Sequence, residues 1–294
     1  MSGFLWLASY PKSGNTWLRA FLSNLLREED QGPADINALV SHQIASARAL
    51  IEPALGIPTS LLTFDEIDAY RPAAYRIAAA AAASPAFVKI HDAYTLTSRG
   101  EPLVPADASA GAIYIVRNPL DVAVSLMHST DRLAPDVIAR MADENETQSD
   151  RRLGLEPQVR QRLLTWSRHV SSWLDQRAIP VHLVRYEDML AHPLPTFAGI
   201  CRFVGLPQEE QGIERAIRNS SFAELESQER RSGFRERLPG TRKFFRAGRA
   251  GGWRSELAPD EAARIVHDHR RVMRRLGYLV DEVGGVRRES MRVS

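Results

Sequence analysis

Apolar and polar positions alternate between two kinds of segment along this chain. Phe4–Ser9 is a continuous apolar run closed by Tyr10-Pro11, which predicts a strand buried on both faces. From residue 14 to about residue 28, Trp17, Leu18, Phe21, Leu22, Leu25 and Leu26 recur on one face, predicting an amphipathic helix. The alanine stretch 73–83 predicts a helix that stops before Pro85. Residues 87–90 and 112–116 predict short strands, and Asn118-Pro119 starts a helix running to about residue 129, with the proline in its first turn. Residues 158–177 predict an amphipathic helix, 181–185 a strand, and 195–204, 208–218 and 259–276 further helices. Residues 31–62 give no firm pattern, and the charged, irregular stretch 130–156 predicts a surface insertion.

Strands alternating with helices predict an α/β fold, a mostly parallel sheet covered by helices on both faces. No repeat and no linker divides residues 1–294, so a single domain is expected. In such sheets ligands bind beyond the carboxyl ends of the strands. The unusual residues of this chain stand at those ends.

Composition narrows the classes. A chain of 294 residues buries about three quarters of its unfolded surface without staples. With 44% hydrophobic and 25% charged residues it is globular rather than disordered. The single cysteine, Cys201, excludes a disulfide framework and a multi-cysteine metal site. No apolar run approaches the roughly 18 to 20 residues of a membrane span. No basic segment precedes the apolar N-terminal run, so it does not read as a signal peptide, and a cytoplasmic setting is expected. A formal charge of +2 makes no general case for nucleic acid. Only three of the 38 basic residues are lysines (Lys12, Lys89, Lys243), and the arginine- and alanine-rich balance suggests a GC-rich bacterial genome. In an arginine-writing chain, Lys12 and Lys89 mark places that need a compact point charge. Residues 230–254 carry nine basic residues against one acid, Glu236. That stretch is too charged for core and predicts a mobile segment that docks on an anion.

Between the first strand and helix lies Ser9-Tyr10-Pro11-Lys12-Ser13-Gly14-Asn15-Thr16-Trp17. Its small residues let backbone N–H groups converge on an anion at a helix N-terminus, with Lys12 adding charge and Ser13, Asn15 and Thr16 adding donors. The order is wrong for a nucleoside triphosphatase, because lysine precedes Gly14 by two residues instead of following it. In Phe87-Val88-Lys89-Ile90-His91-Asp92, residues two apart share a strand face, so Lys89 and His91 point together. A histidine that titrates near neutrality suits proton abstraction. Asp92 is placed to orient the imidazole or to act as the base itself. Arg117 ends a strand and Ser125 follows two helical turns later, a fork and a hydroxyl suited to a terminal phosphate. Trp17 and Phe222 offer faces for a purine. His267 and His269, two apart on a helix, show no metal spacing, and no metal is expected.

These strings together resemble sulfotransferases that use 3′-phosphoadenosine 5′-phosphosulfate (PAPS). The loop 9–17 resembles the family's 5′-phosphosulfate loop. Ile113-Tyr114-Ile115-Val116-Arg117-Asn118-Pro119 with Asp121 and Ser125 resembles its 3′-phosphate segment. Arg185-Tyr186-Glu187-Asp188 resembles its Tyr-Glu-Asp strand end, and Ser220-Ser221-Phe222 its adenine-side turn. Phe244-Phe245-Arg246-Ala247-Gly248, then Gly251-Gly252-Trp253, resembles its C-terminal signature. The matches run in order from residue 4 to about 257.

The resemblance implies a P-loop-like fold and sulfuryl transfer from PAPS to a hydroxyl of a small molecule, natural product or glycan, leaving 3′,5′-adenosine bisphosphate (PAP). It implies His91 as general base, with Lys12 and Lys89 stabilising the leaving phosphate. It assigns Lys12, Ser13, Gly14, Asn15, Thr16 and Trp17 to the phosphosulfate and base, and Arg117, Ser125, Arg246 and Gly248 to the 3′-phosphate. Tyr186, Ser220 and Phe222 go to adenine, and Phe245 and Ala247 to the C-terminal segment. Ala247 departs from the lysine that many members carry, a loss for which Arg242, Lys243 or Arg249 would have to compensate. Residues 31–84 and 128–156 are expected to shape the acceptor pocket. The family's Lys-Thr-Val-Glu-type dimer segment is not recognisable after Trp253, so a homodimer is left open. No nucleic-acid or membrane partner is expected. Two rivals are a nucleotide kinase or triphosphatase and a non-enzymatic anion- or RNA-binding module built on 230–254. The missing G-K-[ST] opposes the first, and the near-zero net charge opposes the second.

Overall fold

In the computed structural model, which describes residues 3–41, 44–83, 86–150, 156–237 and 243–279, every strand of the main sheet is parallel. The chain enters through β1 (Phe4–Ser9) and α1 (Asn15–Leu25), then α2 (Arg48–Leu55) and α3 (Phe64–Ala81), before β2 (Ala86–Ile90). β3 (Ser109–Val116) leads into α4 (Pro119–Thr130) and α5 (Ala134–Met141). A two-stranded antiparallel ribbon, β4 (Thr147–Gln148) and β5 (Gln161–Arg162), precedes α6 (Trp166–Asp175), β6 (Val181–Arg185) and α7 (Tyr186–Ala191). α8 (Pro193–Val204), α9 (Glu210–Asn219), α10 (Phe222–Ser232) and α11 (Pro259–Arg275) complete the described helices.

The sheet order is β2-β1-β3-β6. Side chains alternate across it and divide the core in two. Trp6, Ala8, Val88, Ile90, Tyr114 and Val116 pack with α4, α5, α6 and α11. Leu5, Leu7, Phe87, Ile113, Ile115 and Val184 pack on the other face with α1, α8 and α9. This is the α/β sheet with both faces covered that the sequence predicts, and the β1, β2, β3 and β6 carboxyl ends open on one edge. The free side of β2 is partly covered by residues 44–45, where Ile44 bridges Lys89 and the Ala45 N–H donates to the Lys89 carbonyl at 2.7 Å.

Four sequence expectations are corrected. The alanine helix starts at Phe64, because Thr63 and Glu66 form a reciprocal capping box ahead of it; Pro85 lies outside the described residues. The helix expected over 158–177 begins only at Trp166. Leu164 holds a left-handed φ of 59°, the Thr165 hydroxyl accepts from the Arg168 N–H, and residues 158–162 pair as extended chain. The insertion 130–156 is not purely surface, since α5 buries Val137, Ile138 and Met141. The basic stretch 230–254 begins inside α10 and carries two buried phenylalanines, Phe234 and Phe245, packed with Ile36, Leu39 and Leu225. Its described arginines are exposed and its rings fill a satellite core, while Glu236 turns inward to Arg19 and Lys89. Its residues 238–242, Arg242 among them, lie outside the described residues.

Candidate active site

A cleft of about 1560 Å³ runs along the carboxyl ends of the strands. Lys12, Gly14, Asn15, Thr16 and Trp17 line it where β1 turns into α1. Lys12 (φ 68°) and Gly14 (φ 108°) bend this loop through the left-handed region. A Cβ on Gly14 would stand 2.6 Å from Tyr186 Cδ2, so the position admits only glycine. The Trp17 and Leu18 N–H groups both donate to the Gly14 carbonyl, at 3.0 and 3.2 Å, so the Asn15 and Thr16 N–H groups are the first-turn donors left for an anion. The Asn15 side chain does not face the cleft as a donor. It donates to the Leu7 carbonyl at 2.8 Å and the Ser9 hydroxyl at 3.2 Å, clamping loop to strand.

Lys12 sits 4.3 Å from the centroid of the Phe244 ring. Burial, then the charges of Lys89 and Arg117, bring its pKa down to about 8. Arg117 donates to the carbonyls of Lys12 at 3.2 Å and Arg249 at 3.1 Å, with Tyr186 4.4 Å beneath its guanidinium. Its buried Nε has no partner among the described residues, nor do the Ser13 hydroxyl and the Trp17 indole N–H. Of these, Arg117 and Trp17 line the cleft, where unpaired donors fit an anionic nucleotide. Ser125, Phe222, Arg246, Ala247 and Gly248 line the same end. A Cβ on Gly248 (φ 57°) would fall 2.3 Å from the Phe222 ring. Trp17 packs edge-on to Tyr186, centroids 5.8 Å apart, and contributes to both the core and the cleft.

The C-terminal signature is held by two carboxylates whose roles the sequence did not disclose. Glu229 accepts from the N–H groups of Phe244 (2.8 Å) and Phe245 (2.9 Å). Asp121, read as part of a phosphate segment, instead accepts from the N–H groups of Gly251 (2.7 Å) and Trp253 (3.1 Å). Lys243 pairs with Glu226 and Arg246 with Glu256. Ser220 is a further correction. It is fully buried, its hydroxyl donates to the Ala216 carbonyl, and Ser221 takes its place on the cleft wall. Ser13 is buried as well and does not line the cleft.

Lys89 and His91 do share the cleft wall. His91 Nδ1 lies 2.8 Å from the Ser9 carbonyl, which can only accept, so Nδ1 carries the hydrogen and Nε2 the lone pair. Burial and then the Lys89 charge push its pKa down to about 3, so the ring is neutral at physiological pH. Lys89 is not free: its ammonium donates to Glu236 at 2.9 Å, and Glu236 is also held by Arg19 at 2.6 Å. Although burial opposes it, these two cations draw the Glu236 pKa to about 2.

Asp92 neither orients the imidazole nor stands as a base. It is 0% exposed and faces away, accepting from Arg71 at 2.9 and 2.6 Å and from the Arg162 N–H at 3.0 Å. Its role is to fix the turn after β2. His169 Nε2 donates to the His91 carbonyl at 3.0 Å, and the Trp173 indole donates to the Asp92 carbonyl at 3.0 Å. The far end of the cleft is lined by Tyr10, Ile44, Glu146, Gln158, Gln161 and Leu163 among others. Ile44 and Glu146 fall in the expected acceptor segments 31–84 and 128–156 and Tyr10 in the loop 9–17, whereas Gln158, Gln161 and Leu163 carried no site signal. Of the expected acceptor insertion 31–84, only Ser41 and Ile44 reach the cleft among the described residues.

Comparison with known proteins gives the arrangement its family. A profile described as "Sulfotransferase domain" matches residues 4–277. Cytosolic sulfotransferase 13 of Arabidopsis thaliana is 28% identical over 264 residues, covering 86% of this chain and 71% of the relative. Sulfotransferase 1A1 of Canis lupus familiaris is 24% identical over 93% of this chain and 84% of the relative. The fold is shared with mouse sulfotransferase SULT7A1 complexed with PAP (TM-score 0.57, 18% identity, 94% of this chain and 88% of that one). It is also shared with retinol dehydratase in complex with androsterone and PAP (TM-score 0.60, 18% identity, 92% and 80%). A match over nearly the whole length, on the loop and strand ends that form the cleft, places this chain in the sulfotransferase family.

Proposed function

We propose that the protein transfers the sulfuryl group of PAPS to a hydroxyl-bearing acceptor and releases PAP. The observation that carries this reading is the alignment of three features on one cleft: an anion loop with Lys12, a phosphate fork at Arg117, and a neutral His91 whose lone pair is on Nε2. PAPS supplies an SO₃ group on a phosphosulfate bridge, activated for in-line displacement.

The residues divide the work by their chemistry. Lys12, the Asn15 and Thr16 N–H groups and the Thr16 hydroxyl hold the 5′ side, and Arg117, Ser125, Arg246 and the Gly248 N–H hold the 3′-phosphate. Trp17, Tyr186 and Phe222 enclose the base. His91 Nε2 takes the acceptor proton as the acceptor oxygen bonds to sulfur. The electron pair of the breaking S–O bond goes to the 5′-phosphate, whose new charge Lys12 stabilises. Burial lowers the basicity of His91 in the free protein, and an anion beside the ring favours the imidazolium as it forms. Lys89 serves the leaving phosphate only after Glu236 releases it. Ala247 removes one cation from the 3′ side. Lys243 pairs with Glu226, so among the described residues compensation falls to Arg249, whose carbonyl already anchors Arg117. Among the described residues no helix is long and apolar enough to cross a membrane. Similarity to relatives named as cytosolic sulfotransferases supports a cytoplasmic setting.

The test is transfer of ³⁵S from labelled PAPS to a mixed panel of hydroxyl acceptors. Labelled product with wild type and none with His91→Ala, at equal PAP affinity, supports the reading. Mg²⁺-dependent ATP turnover without sulfate transfer overturns it.

A further inference from the structure

The far end of the cleft holds a polar side chain that its own protein leaves half satisfied. Gln161, on β5, lines the cleft and is only 2% exposed. Its Nε2 donates to Gln158 Oε1 at 3.0 Å, and that oxygen also accepts from the Ser46 hydroxyl at 3.0 Å. Gln161 Oε1 has no partner among the described residues. A buried acceptor without a donor is costly, and such a group in a cleft wall calls for a ligand hydrogen.

The pair is fixed by backbone and not by chance rotamers. The Val159 N–H donates to the Ser46 carbonyl at 2.7 Å, Gln161 pairs with Gln148 across the ribbon, and the Ala93 N–H donates to the Arg162 carbonyl at 2.8 Å. This last bond sets the ribbon beside the turn that carries His91. Next to Gln161, Glu146 lines the cleft with one carboxylate oxygen held by Arg140 Nε at 2.9 Å. Thr147, Gln148 and Ser149 continue this polar edge, while Ile44, Val137, Met141 and Leu163 give the same space an apolar side.

We propose, building on the sulfotransferase reading, that the acceptor is a polyhydroxylated compound of carbohydrate type. One non-reacting hydroxyl donates to Gln161 Oε1, a second donates to Glu146, and the reacting hydroxyl faces His91 Nε2. The apolar side takes the C–H face of the ring. A phenol or sterol would cover Gln161 with carbon and leave its oxygen buried and unpaired. Sites built to bond a substrate hydroxyl reject analogues that lack it far more strongly than apolar pockets reject an extra group. The sulfuryl step is unchanged: the acceptor proton passes to His91 and the S–O electron pair to the 5′-phosphate.

The experiment measures ³⁵S transfer from PAPS to methyl α-D-glucopyranoside, methyl β-D-galactopyranoside and trehalose, beside 2-naphthol and a sterol alcohol, with PAP affinity followed by calorimetry. At least one glycoside is expected to exceed 2-naphthol and the sterol about tenfold or more in kcat/KM. Gln161→Leu is expected to lower glycoside kcat/KM about 10- to 100-fold and to leave PAP affinity within about twofold, while 2-naphthol turnover holds or rises because the unpaired oxygen is gone. Gln161→Glu, which keeps an acceptor oxygen there, should retain more glycoside activity than the leucine variant. Preference for 2-naphthol or the sterol overturns the acceptor class while leaving the sulfotransferase reading intact. An equal loss for all acceptors in both variants makes Gln161 a structural residue and overturns its role. Absence of PAP binding and of all transfer overturns the underlying reading and the acceptor class with it.

Discussion

At one end of the cleft the groups come from short contiguous strings at strand ends: the loop 9–17 after β1, Arg117 after β3, Tyr186 after β6. Their geometry is imposed by backbone, through left-handed Lys12 and Gly14 and through carbonyls that Arg117 ties together. At the other end the wall is assembled from residues 44–46, 146–149 and 158–163, joined by isolated bridges and a ribbon of two residues per strand. The first end recognises a fixed anionic group and tolerates almost no added volume. The second offers side-chain amides, a carboxylate and aliphatic groups, and its specificity can change by substitution without disturbing the first. His91 stands where the two meet, its ring tied to the Ser9 carbonyl and its backbone tied through His169 to α6.

The sharpest break is at that junction. His91→Ala should lower turnover about 10³- to 10⁴-fold, toward the upper range for general-base loss, while PAP affinity by calorimetry stays within twofold. Turnover retained within tenfold would remove His91 from the role of base. Next in size is the support behind it. Arg71→Leu strands the fully buried Asp92 carboxylate, and denaturant unfolding should show a loss of about 3–5 kcal/mol. An Asp92→Asn, Arg71→Leu double variant should recover part of that loss; no recovery would mean the ion pair is not the cause.

At the nucleotide end, Gly248→Ala forces a Cβ into the Phe222 ring at a positive φ. PAP affinity should fall about 10- to 100-fold, an effect of 1.4–2.8 kcal/mol, with little change in folding stability. The smallest effect is pH. Lys12 titrates near pH 8 in the free protein because burial and the Lys89 charge disfavour the ammonium. An anion binds the ammonium form, so above the second phosphate ionisation at about pH 6 PAP affinity should be flat up to pH 8 and fall above it, by at most tenfold per unit. Lys12→Met should abolish that slope. Folding has the opposite sign: the unfolded chain, whose lysine keeps its ordinary pKa of 10.5, holds more protons than the native state above pH 8, so the Lys12 contribution to stability rises with pH there.

The same contrast explains what the sequence made legible. Strands β1 and β3 announce themselves because burial on both faces writes apolar runs, β6 is a part-exposed edge strand marked only by Val181, Leu183 and Val184, and β1 and α1 bracket the phosphate loop by apolar period alone. Lys89 and His91 were found together because a strand's period of two is strict. Asp92, one residue on, pairs with Arg71 from a helix 21 positions earlier, which no local pattern reveals. Helix α10 was missed because its charges dominate its composition, although Ser221 caps it and Leu225 faces the satellite core. The apolar spacing over 158–177 places Gln158 and Gln161 in a helix because it hides the left-handed Leu164 and the Thr165 cap. The acceptor wall depends on contacts between distant, patternless segments, so its chemistry became visible only in three dimensions.

The central claim is that the cleft is built for a 3′-phosphorylated adenosine nucleotide and not for a triphosphate. A thermal-shift titration with PAP, run beside ATP plus Mg²⁺, tests it most directly. At a hundred times its dissociation constant a ligand adds about 2.7 kcal/mol to stability, a visible rise in Tm. The account predicts saturable stabilisation by PAP without a divalent cation, weakened by removing the Arg117 fork in Arg117→Ala. Stabilisation by ATP–Mg²⁺ with none by PAP would contradict it.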